Sequence, residues 1–297
     1  MRVENISFVE EKEYLKPGSL PEALDLFRSF GREAVILAGA SDVFARKSLQ
    51  RRVIIDIMHT GLNYIEEDEV GLRIGACVTM RQLVGRLSGG RYHSIAQSAG
   101  ALGSPQIRNM ATIGGNLCNA APSADCAPAL YVLGARMVLK SSAGARTLPI
   151  EDFITGPGQT ALEPGEILEE IRVPQPEQGL RICFEKVVRT RGLDLALVNG
   201  AILLKLDGGG LVQTLRVCLG AVAPTPLILE KELAGFVGQA LTDNAIEEIT
   251  ELCGAAVKPI SDVRSSKEYR VLRCKTLVSR GLKTLLTAGP DAAGGKE

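Results

Sequence analysis

Two short stretches carry the residue types most suited to chemistry. "ILAGASDV" (36–43) runs from an apolar segment into a glycine and then into a hydroxyl and an acid. "ATIGGNLCNAAPSADCAPAL" (111–130) packs two adjacent glycines, two cysteines and one acid into twenty residues. Both read as an apolar strand broken by glycine. Glycine admits positive φ and close approach to the main chain, and successive bare N–H groups form a nest for anions. Two such loops brought together could wrap a pyrophosphate without a lysine. That suits a chain with neither a Walker lysine loop nor a GxGxxG opening a βαβ unit. Paired glycines at strand ends also occur as plain turns or bulges, so either loop alone leaves that alternative open.

The cysteines point away from a metal. There are seven (77, 118, 126, 183, 218, 253 and 274), with no two-residue spacing between any pair, and both histidines, His59 and His93, lie outside the two loops. Such scatter fits free thiols in a reducing compartment better than a disulfide framework, a zinc site or an iron–sulfur site. Lys+Arg and Asp+Glu both number 34, so net charge is zero and nothing suggests a nucleic-acid surface or a polybasic membrane patch. The opening "MRVENISFVEEKEYLKPGSL" has no apolar leader core, and no run approaches the length of a membrane span. A cytoplasmic protein is expected.

At 297 residues the chain exceeds the usual single domain, so two or three lobes are expected. "SLPEALDLFRSFG" predicts a helix with Ser19 as N-cap and Gly31 as stop. "EAVILAG" and "RRVIIDIM" predict strands, and "ASDVFARKSL" predicts a helix start capped by Ser41 or Asp42. "YIEEDEVGLRIGACVT" and "RMVLKSSAGARTLPI" predict hairpins. "TMRQLVGRL", "SIAQSAGAL" and "ADCAPALYVLGA" predict helices, and "EILEEIRVP" a strand ending at Pro174. "PQPEQG" (174–179) is the linker candidate. Beyond it, "ICFEKVV", "ALVNGAILLKL" and "LVQTLRVCLGAV" predict strands, the last two joined by "DGGG". Two capped amphipathic helices follow, "TDNAIEEITELCGAAV" and "SSKEYRVLRCKTLVSRGLKTLL", the second with Leu272, Leu277, Leu282 and Leu285 along one side. "AGPDAAGGKE" predicts a frayed tail. Strands followed by helices make this an α+β pattern.

The run "QIRNMATIGGNLCNAAPSAD" closely resembles the second flavin-binding segment in the FAD subunits of molybdenum hydroxylases, and "ILAGASDVFARK" resembles the first. The likeness extends through "FITGPGQTALEPGEILEEIRVP", "FEKVVRTRGLDLALVNGA", "LGAVAPTPLI" and "SSKEYR", from about residue 3 to residue 285. Within that family it resembles most the separate FAD-binding subunit of the xanthine dehydrogenase type. The resemblance implies an α+β fold with a two-subdomain FAD-binding region of the PCMH/VAO type. A smaller α+β domain like the CO dehydrogenase flavoprotein C-terminal domain follows. It places the FAD-binding domain at 1–175, with subdomains of about 1–57 and 58–175, and the C-terminal domain at 176–297.

By the same resemblance, Ile36, Leu37, Ala38, Gly39, Ala40, Ser41, Asp42 and Val43 form the first wall of the FAD site, with backbone donors to the pyrophosphate. Ser41 adds a hydroxyl and Asp42 lies near the flavin. Ala111, Thr112, Gly114, Gly115 and Asn116 form the second wall. Asp125 matches an acid for the ribose hydroxyls, a role suited to an ionised carboxylate. It could instead, or also, cap the helix beginning near Ala127. Leu102 stands where the family has an aromatic residue near the flavin, which weakens the case for stacking. Leu168 matches an apolar contact, and Lys186 a cofactor-contacting lysine whose alternative is a solvated strand residue. Ala40 replaces the family's usual second glycine; if its φ is positive, alanine costs on the order of 1 kcal/mol. Cys118 and Cys126 then read as packing residues beside the loops.

The implied cofactor is noncovalent FAD, because no histidine lies in either loop. Molybdopterin and [2Fe–2S] clusters are implied only on partner subunits, a large molybdopterin-binding chain and a small iron–sulfur chain. The implied activity is oxidoreductase: electrons from the clusters reach FAD and leave to NAD⁺ or oxygen, with no catalytic side chain required. Within the class, carbon monoxide, nicotinate or an aromatic thioester are alternative substrates of the complex. Outside it, the chain could be an assembly subunit with a decayed flavin site.

Overall fold

The computed structural model describes residues 12–42, 52–190 and 195–287. Val43, the helix expected after Ser41, part of the "FEKVVRTRGLD" run (191–194) and the expected tail (288–297) lie outside the described residues. The chain is α+β, and the strands and helices fall into three packed groups.

The first group comprises β1 (Glu13–Leu15), α1 (Leu20–Phe30), β2 (Ala34–Leu37) and β3 (Val53–Asp56). The Ser19 hydroxyl accepts from the Glu22 N–H to start α1, and Gly31, at φ +50°, ends it. The strands are parallel in the order β1-β3-β2. Leu20, Ala23 and Leu24 of α1 pack over Val53 and Ile55. Parallel strands bring their carboxyl ends to one edge, where ligands of such sheets sit. Gly39 follows that edge of β2.

The second group opens with the hairpin β4 (Ile65–Glu67) and β5 (Gly71–Gly75). Five helices follow: α2 (Met80–Leu87), α3 (His93–Gly100), α4 (Pro105–Met110), α5 (Ile113–Cys118) and α6 (Ala127–Val132). A reciprocal Thr79–Gln82 capping box starts α2. Then come β6 (Arg136–Ser141), β7 (Gly144–Pro149), α7 (Ile150–Phe153), the short pair β8 (Ile154–Gly156) and β9 (Gln159–Thr160), and β10 (Ile167–Pro174). An antiparallel sheet in the order β4-β5-β10-β6-β7 packs one face on the helices. On its other face Glu170, 1% exposed, binds Tyr64, Arg73 and Arg172.

After "PQPEQG" the third group begins with an antiparallel sheet, β11 (Leu180–Val187), β12 (Val198–Leu206), β13 (Val212–Gly220) and β14 (Leu227–Leu229) in sequential order. Helices α8 (Asp243–Ala256), capped by Thr242, and α9 (Lys267–Thr287) cover one face. The Ser266 hydroxyl accepts from the Tyr269 N–H at the start of α9. The other face packs on α3 and α6 of the second group. Successive residues of a strand point to opposite faces, and on β12 both faces are apolar: Val198, Ile202 and Leu204 join the core with α8 and α9, whereas Ala201 and Leu203 join the core of the second group.

One core expectation fails. Leu272 is 58% exposed, while Arg270, Cys274, Leu277, Val278, Gly281, Leu282 and Leu285 form the buried stripe of α9. From Cys274 on, the stripe alternates steps of three and one, and Leu272 lies two positions from both Arg270 and Cys274, on the far side at 100° per residue. Among the described residues no helix is long and apolar enough to cross a membrane.

Candidate functional site

A cavity of about 580 Å³ opens where the three groups meet, within the size range of small-ligand sites. Its first wall is the segment Ile36, Leu37, Ala38, Gly39, Ala40, Ser41 and Asp42, leaving the end of β2. The N–H groups of Gly39 and Ala40 have no acceptor among the described residues, and both residues line the cavity. Ala40 takes φ +57°, the left-handed region that its glycine-like position suggested. Gly39 is required for contact between the two walls: a Cβ there would lie 1.7 Å from the Met110 carbonyl oxygen.

The second wall departs from expectation. "ATIGGN" does not follow a strand; it links α4 to α5, and the glycines lie inside the first turn of α5. Thr112 is the N-cap, its hydroxyl accepting from the Gly115 N–H at 3.1 Å. The N–H groups of Ile113 and Gly114 donate to Val78 and Ala76, and that of Asn116 to Thr112, so this loop is not an open nest. Neither glycine has positive φ. Their role is close approach: a Cβ on Gly114 would lie 2.6 Å from the Ala76 backbone oxygen. Gly114 is therefore behind the wall, and Ala111, Thr112, Gly115 and Asn116 form it. The Asn116 side-chain oxygen is buried without a hydrogen-bond partner.

Asp125 and Lys186 meet at the cavity. Lys186 Nζ donates to Asp125 Oδ2 at 2.7 Å and to the Ala101 carbonyl at 2.9 Å, and Asn199 Nδ2 donates to Asp125 Oδ1 at 2.9 Å. Lys186 is thus a buried strand residue, and its solvated alternative is set aside: its side chain is 9% exposed. The capping alternative for Asp125 is also set aside, because Cys126 occupies the N-cap of α6 without a side-chain bond and the Asp125 carboxylate is committed elsewhere. Burial pushes the Asp125 carboxyl up, opposed by the Lys186 charge and by both hydrogen bonds.

Leu102 lines the cavity, in a turn pinned by Arg108, which donates to the Leu102 and Gly103 carbonyls. Leu168 does not: it is 2% exposed in β10, opposite Leu139, inside the core. Cys126 packs in the core beside Met80, whereas Cys118 reaches the cavity, its thiol pushed up to about 12 by burial. His59 and His93 are not among the lining residues. The sequence reading missed Asn119, Ala121, Ser123 and Ala124, which line the turn between α5 and α6, and Gly158, whose N–H donates to the Ala120 carbonyl. It also missed Leu195 and the Asn199 contact. The signal for Asn199 was available, as the one polar residue in "VNGAILL".

The donor set fits FAD. Bare N–H groups suit a pyrophosphate, a carboxylate at the wall suits a vicinal diol, and the mixed apolar lining suits a flavin ring. Residues 7–176 match the family described as the FAD binding domain in molybdopterin dehydrogenase, and residues 183–285 match the CO dehydrogenase flavoprotein C-terminal domain. The chain is 32% identical over 292 residues to the xanthine dehydrogenase FAD-binding subunit of Escherichia coli O157:H7, covering 95% of this chain and 97% of the relative. It is 33% identical over 276 residues to the carbon monoxide dehydrogenase medium chain of Afipia carboxidovorans, covering 91% and 95%. The reconstituted CO dehydrogenase from Oligotropha carboxidovorans superposes with a TM-score of 0.88 at 31% identity, covering 94% of this chain and 99% of that one.

Proposed function

The chain belongs to the family of FAD-binding domains of molybdopterin dehydrogenases, and from that premise we propose that it is the electron-transfer flavoprotein subunit of a xanthine dehydrogenase-type complex. In this reading a small iron–sulfur subunit delivers electrons to the site, and NAD⁺ or oxygen takes them away. A large molybdopterin subunit hydroxylates a purine or similar heterocycle. FAD held here supplies the exchange between one-electron and two-electron steps.

This chain's own residues bind and orient. Gly39 and Ala40 offer N–H donors to the pyrophosphate, and Asp125 offers carboxylate acceptors to the ribose. Lys186 balances the Asp125 charge at a buried position and closes the cavity from β11. Seven free thiols suit a reducing, cytoplasmic setting. The single observation that carries the reading is convergence: residues from the end of β2, the start of α5, the turn before α6 and β11 line one cavity.

A related hydroxylase acting on carbon monoxide or nicotinate is the second reading, favoured by relatives of those names at 33% and 28% identity. The test is to isolate the chain with its partners from its native host and assay the complex on xanthine, hypoxanthine, nicotinate and carbon monoxide. Turnover of a purine with reduction of NAD⁺ supports the first reading. Turnover of carbon monoxide or nicotinate alone replaces it with the second, and a complex from which acid releases no FAD would leave this chain only a scaffold.

A further inference from the structure

Asn199 is fully buried on β12 and shares its face with Ala201 and Leu203, toward the second group of elements. An ionised carboxylate can only accept hydrogen bonds, so the contact to Asp125 fixes the amide with its nitrogen toward the acid. The amide oxygen is then left buried with no hydrogen-bond partner. Across the sheet, Gly220 pairs with Asn199, and a Cβ on Gly220 would lie 2.1 Å from that oxygen. The position therefore seats an amide whose oxygen gains nothing and whose neighbour has no side chain. The nitrogen is what the site uses.

Two strands thus anchor one carboxylate, β11 through Lys186 on Oδ2 and β12 through Asn199 on Oδ1. A carboxylate has about four acceptor sites, so those left over stay open to hydroxyl donors at the cavity that Asp125 lines. Next to these strands, the Ala221 N–H donates to the Pro122 carbonyl at 2.7 Å, fastening β13 to the turn that carries Asp125.

We propose that Asn199 is a positioning residue of the cofactor site, holding Asp125 as a doubly anchored acceptor for the vicinal hydroxyls of the FAD ribose. The proposal rests on the FAD reading above. The charged and titratable groups around the acid are Lys186 and the Cys126 thiol, with the Cys118 thiol and the Asp42 carboxyl at the cavity wall, and the Asp125 carboxyl is itself pushed up by burial. Burial pushes both thiols up to about 12, so neither changes charge below about pH 8.

The test titrates the full chain with FAD, from about pH 5 to about pH 8, for wild type, Asn199→Asp and Asn199→Leu. At the high end Asn199→Asp sets a second carboxylate against Asp125, and FAD should bind at least about tenfold more weakly. As pH falls the carboxyl pair takes up one proton and a hydrogen bond between the two replaces their repulsion, so affinity should climb back toward wild type. Asn199→Leu should be weakened at every pH, because it never donates. Wild-type affinity in Asn199→Asp throughout, or an equal loss at every pH, overturns the proposal. If Asn199→Asp does not fold, Gly220→Ala is titrated instead: its Cβ must displace the amide, so unchanged FAD affinity there also overturns it. A wild-type chain that takes up no FAD refutes the FAD reading itself, and so separates the two failures.

Discussion

Lys186 Nζ lies 2.7 Å from Asp125 Oδ2, so the lysine and the acid expected to serve a cofactor also serve each other. Sixty-one positions separate them in sequence, and the contact joins β11 to the turn before α6. The pair is buried, so its loss should be felt in folding as well as in binding.

Asp125→Ala strands the Lys186 charge in a buried site, a change that typically costs about 3 to 5 kcal/mol. The variant should melt earlier and bind FAD about ten- to a hundredfold more weakly, from loss of charge-assisted bonds worth about 1.5 to 3 kcal/mol. Asp125→Asn should recover part of each. Calorimetry and a fluorescence titration measure the two effects separately. An Asp125→Ala chain with normal FAD affinity and a lowered Tm would confine the residue to folding.

Ala40 holds φ +57°, a conformation that costs a side-chain-bearing residue about 1 to 2 kcal/mol relative to glycine. Ala40→Gly removes that strain but gives the unfolded chain more freedom, worth about 0.4 to 1 kcal/mol the other way. The balance predicts a small gain in holoprotein stability or FAD affinity. Clearly weaker FAD binding by the glycine variant would show the strain argument to be wrong.

FAD should be held without a covalent bond, since neither histidine is among the residues lining the cavity and burial keeps the Cys118 thiol, pushed up to about 12, protonated. Acid precipitation should therefore release all yellow colour into the supernatant, with the flavin spectrum of FAD. Colour remaining in the protein pellet contradicts this.

Glu170 gives the chain an acid-sensitive contact. Burial alone would raise its carboxyl, but hydrogen bonds from Tyr64, Arg172 and Arg73 bring it below its ordinary 4.5. A carboxyl lowered on folding stabilises the folded state fully above its unfolded value, and that contribution is lost as pH falls through the lower folded value. Asp262, lowered chiefly by Arg264 and also by Arg270, acts in the same direction. Thermal stability should thus fall as pH drops below about 4.5. Glu170→Gln should flatten part of that decline. An identical slope in the variant would exclude Glu170 as a source.

The isolated chain should hydroxylate no purine, and mixing it with its iron–sulfur and molybdopterin partners should establish purine-dependent reduction of NAD⁺. Hydroxylation of xanthine by this chain alone, free of molybdenum by elemental analysis, would overturn the functional reading.

Local signals in the sequence were legible because local chemistry produces them. Ser19 and Thr242 cap α1 and α8 as their side chains dictate, and the hairpins β4–β5 and β6–β7 form where alternation and turn residues meet. The turn of α5 through Gly114 and Gly115 was not legible, since glycine is a poor helix former. Packing against Ala76 overrides that preference. The two glycine loops were found, but which one keeps bare N–H groups depended on Val78 and Ala76, far from them in sequence. Asn199 stood out as the lone polar residue of its apolar strand, but its partner, 74 positions away, was not legible. Leu272 was misplaced because leucine spacing was followed where the stripe runs through cysteine, valine and glycine.

The two-faced burial of β12 has a consequence for how the chain finds its fold. A half-exposed strand announces a slipped pairing at once, because a shift by one residue turns its apolar set to water. In the run Val198–Leu204 either face is greasy, so such a slip would trade Ile202 for Ala201 or Leu203 and expose nothing. The asymmetry rests on one amide. Shifted by one, Asn199 would turn toward α8 and α9, burying its amide among hydrocarbon and abandoning a carboxylate at the cavity. The residue that steadies Asp125 in the finished protein is also the mark by which a folding chain can tell the correct alignment from its nearest counterfeit.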